Sequence, residues 1–105
     1  MGERMNVNEI KLNEWLKSCH DLIVDKYKDD LSNLDIPRLD VKKGSKFYKI
    51  IQVDNQRRVW AFVNIETLDI FKPATWAAPA KHARGNINDK SKGLGNLTYL
   101  GPDYL

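Results

Sequence analysis

The sequence has one cysteine, Cys19, among its 105 residues, so no disulfide can close within the chain. A lone thiol suits a reducing compartment. Two histidines, His20 and His82, lie far apart and complete no Cys/His spacing of a metal site, so no metal is expected. No apolar run approaches the roughly 18 residues of a membrane span. Met1-Gly2-Glu3-Arg4 leads into a charged stretch where a signal peptide would turn apolar. Gly2 lacks the Ser or Thr that a myristoylation motif carries at the sixth position, where Asn6 stands. The expected location is therefore intracellular, with no membrane partner and no secretion. Gly93-Leu94-Gly95 lacks the Gly-Lys-Ser/Thr ending of a phosphate loop. No RNP, KH or zinc-finger signature is present. No nucleophile stands near His82 and no second acid partners Asp69. We therefore expect no enzyme, no catalytic residues, no cofactor and no small-molecule substrate.

What is present is enough for one small core. Apolar residues make up 42% of the chain, an ordinary globular fraction, and the length allows one domain over residues 1–105. Asn6 followed by Glu9 resembles a capping box, which starts a helix near Val7. Leu12, Trp15, Leu16, Cys19, Leu22, Ile23, Tyr27, Leu31 and Leu34 then recur at helical spacing. The pattern predicts an amphipathic helix over about 7–34, stopped by Ile36-Pro37. Cys19 lies on the apolar stripe and reads as inert core.

Residues 38–45 read as a connecting loop. The period then changes to that of strands. KFYKIIQV (46–53) and VWAFVNI (59–65) are rich in β-formers, separated by a hairpin-sized loop at Asp54–Arg58. Ile70-Phe71-Lys72 makes a short third strand after the turn at Glu66–Asp69. Leu68 falls where a tight hairpin asks for a left-handed residue, a local cost unless its side chain is used in packing. Three short strands need a cover, and the helix stripe needs one too. The fold class is thus α+β: an N-terminal amphipathic helix packed on a three- to four-stranded antiparallel meander. The sheet spans about 46–72, and 73–105 forms an irregular basic loop and short-helix segment. Within it Thr75 caps one helical turn, Pro79 opens another and Gly85 closes it. Residues 88–96 read as a mobile loop, and Leu97–Leu100 as a further short strand.

Charge is divided unevenly. Residues 1–37 hold five Lys/Arg and eight Asp/Glu, whereas 38–105 hold twelve Lys/Arg and six Asp/Glu. The basic part suits a phosphate-bearing partner, or both parts are simply solvated. The foremost candidate cluster is Lys81, His82 and Arg84 beside Gly85 and Asn86, cations on a glycine-bounded turn. Trp76 upstream could stack on a base. The plainer alternative leaves Lys81 and Arg84 as surface charges. A second basic run, Lys42, Lys43, Lys46 and Lys49, is joined by Arg57-Arg58 at a hairpin tip. Tyr48, Trp60 and Phe71 are interleaved with it, the format of sheet-faced single-strand binders, although such rings are commonly core.

The stretch Trp60 to Ile87, with its segment Asp69-Ile70-Phe71-Lys72-Pro73-Ala74-Thr75-Trp76 running into Ala78 to Ile87, and the closing Gly101-Pro102-Asp103-Tyr104-Leu105 resemble a family of small uncharacterised proteins. Its members belong to large DNA viruses of the marseillevirus type and to tailed phages. The resemblance implies a viral protein in the virion or the host cytoplasm, and supplies no catalytic residue. The combined expectation is a small non-enzymatic viral accessory or virion-associated protein contacting nucleic acid through its basic C-terminal segment. The alternative is a homodimeric interaction or structural module, suggested by the aromatic content and the long helix.

Overall fold

The computed structural model describes residues 6–30, 35–95, 97–98 and 101–102. Helix α1 spans Val7–Asp30. Asn6 caps it, its Oδ1 accepting the Glu9 N–H at 2.8 Å. Glu9 in the first turn and Lys28 in the last both complement the helix dipole. Leu12, Trp15, Cys19, Ile23 and Tyr27 are buried along one stripe, with Leu16 packed beside them. Leu31, Leu34 and the expected helix end at 34 lie outside the described residues.

The stripe rests on an antiparallel sheet of five strands in chain order: β1 (Arg38–Lys43), β2 (Phe47–Val53), β3 (Arg57–Asn64), β4 (Asp69–Pro73) and β5 (Pro79–Asn86). The architecture is α+β, a meander under one helix, but the sheet is wider than the three or four strands expected. Tyr48, Ile50, Trp60, Ala61, Val63 and Ile70 complete the core from the sheet side. Burying an isoleucine such as Ile23 or Ile50 contributes about 1.5–3 kcal/mol. A bulge helps: Ile50 pairs with Ala61 and Ile51 with Val59, leaving Trp60 as the extra residue. Trp60 and Ala61 are both buried in the helix-side core.

Two segments differ from expectation. Residues 38–43 are a strand, not a loop. An edge strand needs only one partly covered face, and Leu39 alone suffices, with Val41 still 40% exposed. The charges at Arg38, Lys42 and Lys43 hid the pattern, and they also discourage pairing with another chain. Residues 79–86 are likewise a strand, where short helical turns were expected. The free edge of β4 offers hydrogen bonds that an isolated helical turn cannot match, and Asp69, Ile70 and Phe71 pair with Asn86, Gly85 and Ala83. Pro79 stands at the first position of this edge strand, where its missing N–H is tolerated. Thr75 does organise the preceding turn, its Oγ1 accepting the N–H groups of Ala77 and Ala78 at 3.2 and 3.1 Å.

The β3–β4 turn carries the left-handed residue that its length demands. Leu68 has φ 63° and is fully buried. Asn64 shapes the turn, its Oδ1 accepting the N–H groups of Glu66 and Thr67 at 2.8 and 2.9 Å. Beyond β5, residues 88–95 are organised around Asp89. Its carboxylate accepts the N–H groups of Ser91 and Gly93, both at 2.9 Å, and the Ser91 hydroxyl at 2.7 Å. The segment docks on the helix through Trp15, whose Nε1 donates to the Gly93 carbonyl at 3.1 Å. A two-residue strand β6 (Leu97–Thr98) then pairs with β7 (Gly101–Pro102).

Candidate nucleic-acid interface

Side chains alternate between the two faces of a strand, and residues opposed across an antiparallel ladder share a face. Tyr48 opposite Val63, and Ile50 opposite Ala61, face the helix. Phe47 opposite Asn64, and Lys49 opposite Phe62, must therefore face away from it. Phe71, opposite Phe62 on β4, joins them. The outer face is thus paved with three phenylalanines. Phe47 meets the edges of Phe62 and Phe71 with ring centroids 6.1 and 5.6 Å apart, at 77° and 88°. Phe62 is only 3% exposed although no helix covers it.

Lysines lie on this aromatic layer. Lys49 Nζ stands 5.9 Å from the Phe62 centroid and 4.8 Å from that of Trp76. Lys46 Nζ stands 5.6 Å from Phe47. Each such cation–π contact at a wet site contributes about 0.5–1 kcal/mol, enough to orient a side chain. Trp76 itself projects from the β4–β5 turn and is 51% exposed.

Two grooves adjoin this turn. One, of about 270 Å³, lies between the β1–β2 hairpin and Ala77, with Lys42, Lys43, Lys46 and Lys49 on its walls and Phe47 and Phe62 among its lining. The other, of about 320 Å³, is lined by Arg57, Arg58, Thr75 and Trp76. Among the described residues no carboxylate lines either groove. Arg58 lies opposite the buried Gln52, on the same side of β2 as Ile50, and its Nη2 donates to Gln52 Oε1 at 2.8 Å, so its guanidinium is turned to the helix side. Lys43, opposite Tyr48, turns its ammonium to the helix side, where it pairs with Glu9 at 3.5 Å. On β1, Asp40 pairs in register with Ile51, and Arg38 holds its carboxylate at 3.1 Å. Exposed pairs of this kind bind weakly and yield readily to a polyanion.

The sequence candidates divide. Arg57, Arg58 and Trp76 come together around one groove. Lys81 and His82 are exposed on β5, an extended strand and not a turn, so no glycine-bounded nest forms there. Arg84 is half-buried. The Asn86 amide is used within the fold, donating to the Thr67 carbonyl at 2.8 Å and to Asp69 Oδ1 at 2.9 Å. None of these β5 residues lines either groove. Of the rings read as interleaved with the second basic run, Tyr48 and Trp60 are core, and Phe71 is on the outer face. Phe47 and Phe62 stand on the outer face without any motif to mark them; the one sequence signal is Lys49, which between Tyr48 and Ile50 marks the solvent side of that strand.

Two groups are shifted in their acidity. Burial pushes the Cys19 thiol far above its ordinary range, which removes it as a nucleophile. The Gly93 N–H and the Ser91 hydroxyl hold Asp89 below the usual carboxylate value. Among the described residues no group of three or more His, Cys, Asp or Glu is placed to hold a metal. Among the same residues no helix is long and apolar enough to cross a membrane.

No curated protein and no solved structure matches the chain. A family model matches residues 3–101, spanning α1 and the whole five-stranded sheet. By that match the chain belongs to DUF7717, a family of unknown function.

Proposed function

We propose that this protein is a small non-enzymatic module that contacts nucleic acid through the outer face of its sheet. The observation that carries the reading is the pair of grooves beside the β4–β5 turn, where Lys42, Lys46, Lys49 and Arg57 stand and, among the described residues, no carboxylate does. Cations over exposed aromatic surface serve a phosphate backbone and its bases together. In a virus of the kind the sequence resembles, such a module would act as an accessory or virion-associated protein.

Fluorescence anisotropy with labelled oligonucleotides tests it, with salt titrated. If about four phosphates are neutralised, log K falls with log salt at a slope near −3 for single strands. Affinity then drops about 50-fold between about 50 and 200 mM salt. Lys42→Ala/Lys46→Ala removes two of those contacts and flattens the slope by about 1.4. Lys81→Ala/His82→Ala, both exposed on β5, serves as the comparison. Loss of binding in that pair alone would move the interface to β5. Affinity unchanged by salt, or no binding at low salt, would overturn the nucleic-acid reading.

A further inference from the structure

The aromatic residue left open on the outer face is a tryptophan, and the fold takes trouble to fix it there. Trp15 and Trp60 are 3% and 1% exposed, whereas Trp76 is 51% exposed. The turn that carries it is rigidly tied. Ala74 and Thr75 both donate backbone N–H groups to the Ala78 carbonyl, at 3.0 and 3.1 Å, and Thr75 Oγ1 takes two more N–H groups. Lys49 lies over the ring, so a cation stands beside an open π-surface.

A duplex could use the cations of this face but not the ring, because paired bases are stacked on one another. Reading a duplex through its major groove takes a projecting helix or ribbon. Here α1 packs on the opposite face of the sheet. An unpaired base, by contrast, can lie on Trp76 whatever its identity, since every base has a π-face. The two grooves sit at or below the low end of the roughly 300–1,000 Å³ of small-molecule pockets.

We propose that the outer face selects single-stranded nucleic acid, stacking one base on Trp76 while Lys46 and Arg57 hold the phosphates to either side. The proposal rests on the nucleic-acid reading above and adds to it the strandedness and the residue that reads it.

The natural fluorescence of the protein tests it directly. Trp15 and Trp60 are buried, so quenching by added strand reports on Trp76. Single-stranded DNA and RNA of roughly ten nucleotides are titrated in parallel with a duplex of the same length. Saturable quenching by either single strand, at least about tenfold tighter than duplex, is the expected result. Trp76→Ala abolishes the quenching and weakens anisotropy-detected binding by about 5- to 150-fold, while Trp76→Phe keeps most of it. Far-ultraviolet circular dichroism of both variants matches wild type, because the side chain is half in solvent. Duplex bound as tightly as single strand, with Trp76→Ala neutral but Lys42→Ala/Lys46→Ala still impaired, would overturn strandedness and leave the electrostatic reading standing. Binding to none of the three would overturn both.

Discussion

Replacing Leu68 by glycine sets two physical effects against each other at one residue. Leu68 has φ 63°, a left-handed conformation that costs a side-chain-bearing residue about 1–2 kcal/mol. Glycine relieves that cost. The leucine side chain is also fully buried in the core that α1 and the sheet share. Removing a buried leucine side chain to alanine costs about 2–5 kcal/mol, and glycine removes one carbon more. Burial therefore wins, and Leu68→Gly is expected to be less stable by about 2 kcal/mol. For a chain of this size that lowers Tm by roughly 10 °C. Urea unfolding followed by circular dichroism measures the difference. Leu68→Met, which keeps the volume and the backbone conformation, is the control and should lose less than about 1.5 kcal/mol. A glycine variant as stable as wild type, or more so, would refute the claim that packing holds this turn.

Two other perturbations follow from the segment that docks on the helix. Gly93 has φ +78°, and a Cβ there would stand 2.9 Å from both Ile70 Cδ1 and Trp15 Nε1. Gly93→Ala combines backbone strain with a clash against packed side chains and should cost about 2–4 kcal/mol, read as a lower urea midpoint; an unchanged midpoint would mean that the segment is not seated there. Asp89 has a depressed pKa in the folded state, through the Gly93 N–H first and the Ser91 hydroxyl second. Its contribution is therefore present above the unfolded value near 3.9 and is lost as pH falls through the lower folded value. Asp89 is exposed, so the effect is small. The stability gap between wild type and Asp89→Asn should narrow below about pH 4, and a gap constant with pH would contradict the hydrogen-bonding role.

Most of the core was legible in the sequence because it rests on period. Leu12, Trp15, Cys19, Ile23 and Tyr27 repeat at steps of three and four, and the helix buries them as the pattern requires. Strands β2 and β3 and the turn at Leu68 follow from β-former runs and loop length. The edges of the sheet were not legible. Both β1 and β5 are charged, short of apolar residues, and stabilised by hydrogen bonds to a neighbour that the sequence does not place beside them. Segment 79–86 misled for a further reason. Its alanines favour a helix and Pro79 suits a first helical turn, but the open edge of β4 outweighs both preferences.

The same edge strands explain why the candidate site moved. As a turn, Lys81, His82 and Arg84 would have converged on one anion; as part of a strand, they lose the backbone nest that made the cluster attractive. The cations that line the grooves on the outer face, Lys42, Lys46, Lys49 and Arg57, are spread through the sequence, and the pairing of β1, β2 and β3 gathers them there, with Lys49 over Trp76. That register also decides which rings are available. Tyr48 and Trp60 read either as core or as binding aromatics, and both are core, the bulge at Ile50/Ile51 committing Trp60, with Ala61, to the helix side. Shifting β2 by one residue would exchange Phe47 and Lys49 for Tyr48 and Ile50 and bury a lysine in the core. The outer face is therefore fixed by the same pairing that fixes the core. A substitution that weakens the ladder should disturb both together, whereas Trp76, carried on a turn outside the ladder, can be altered without disturbing either.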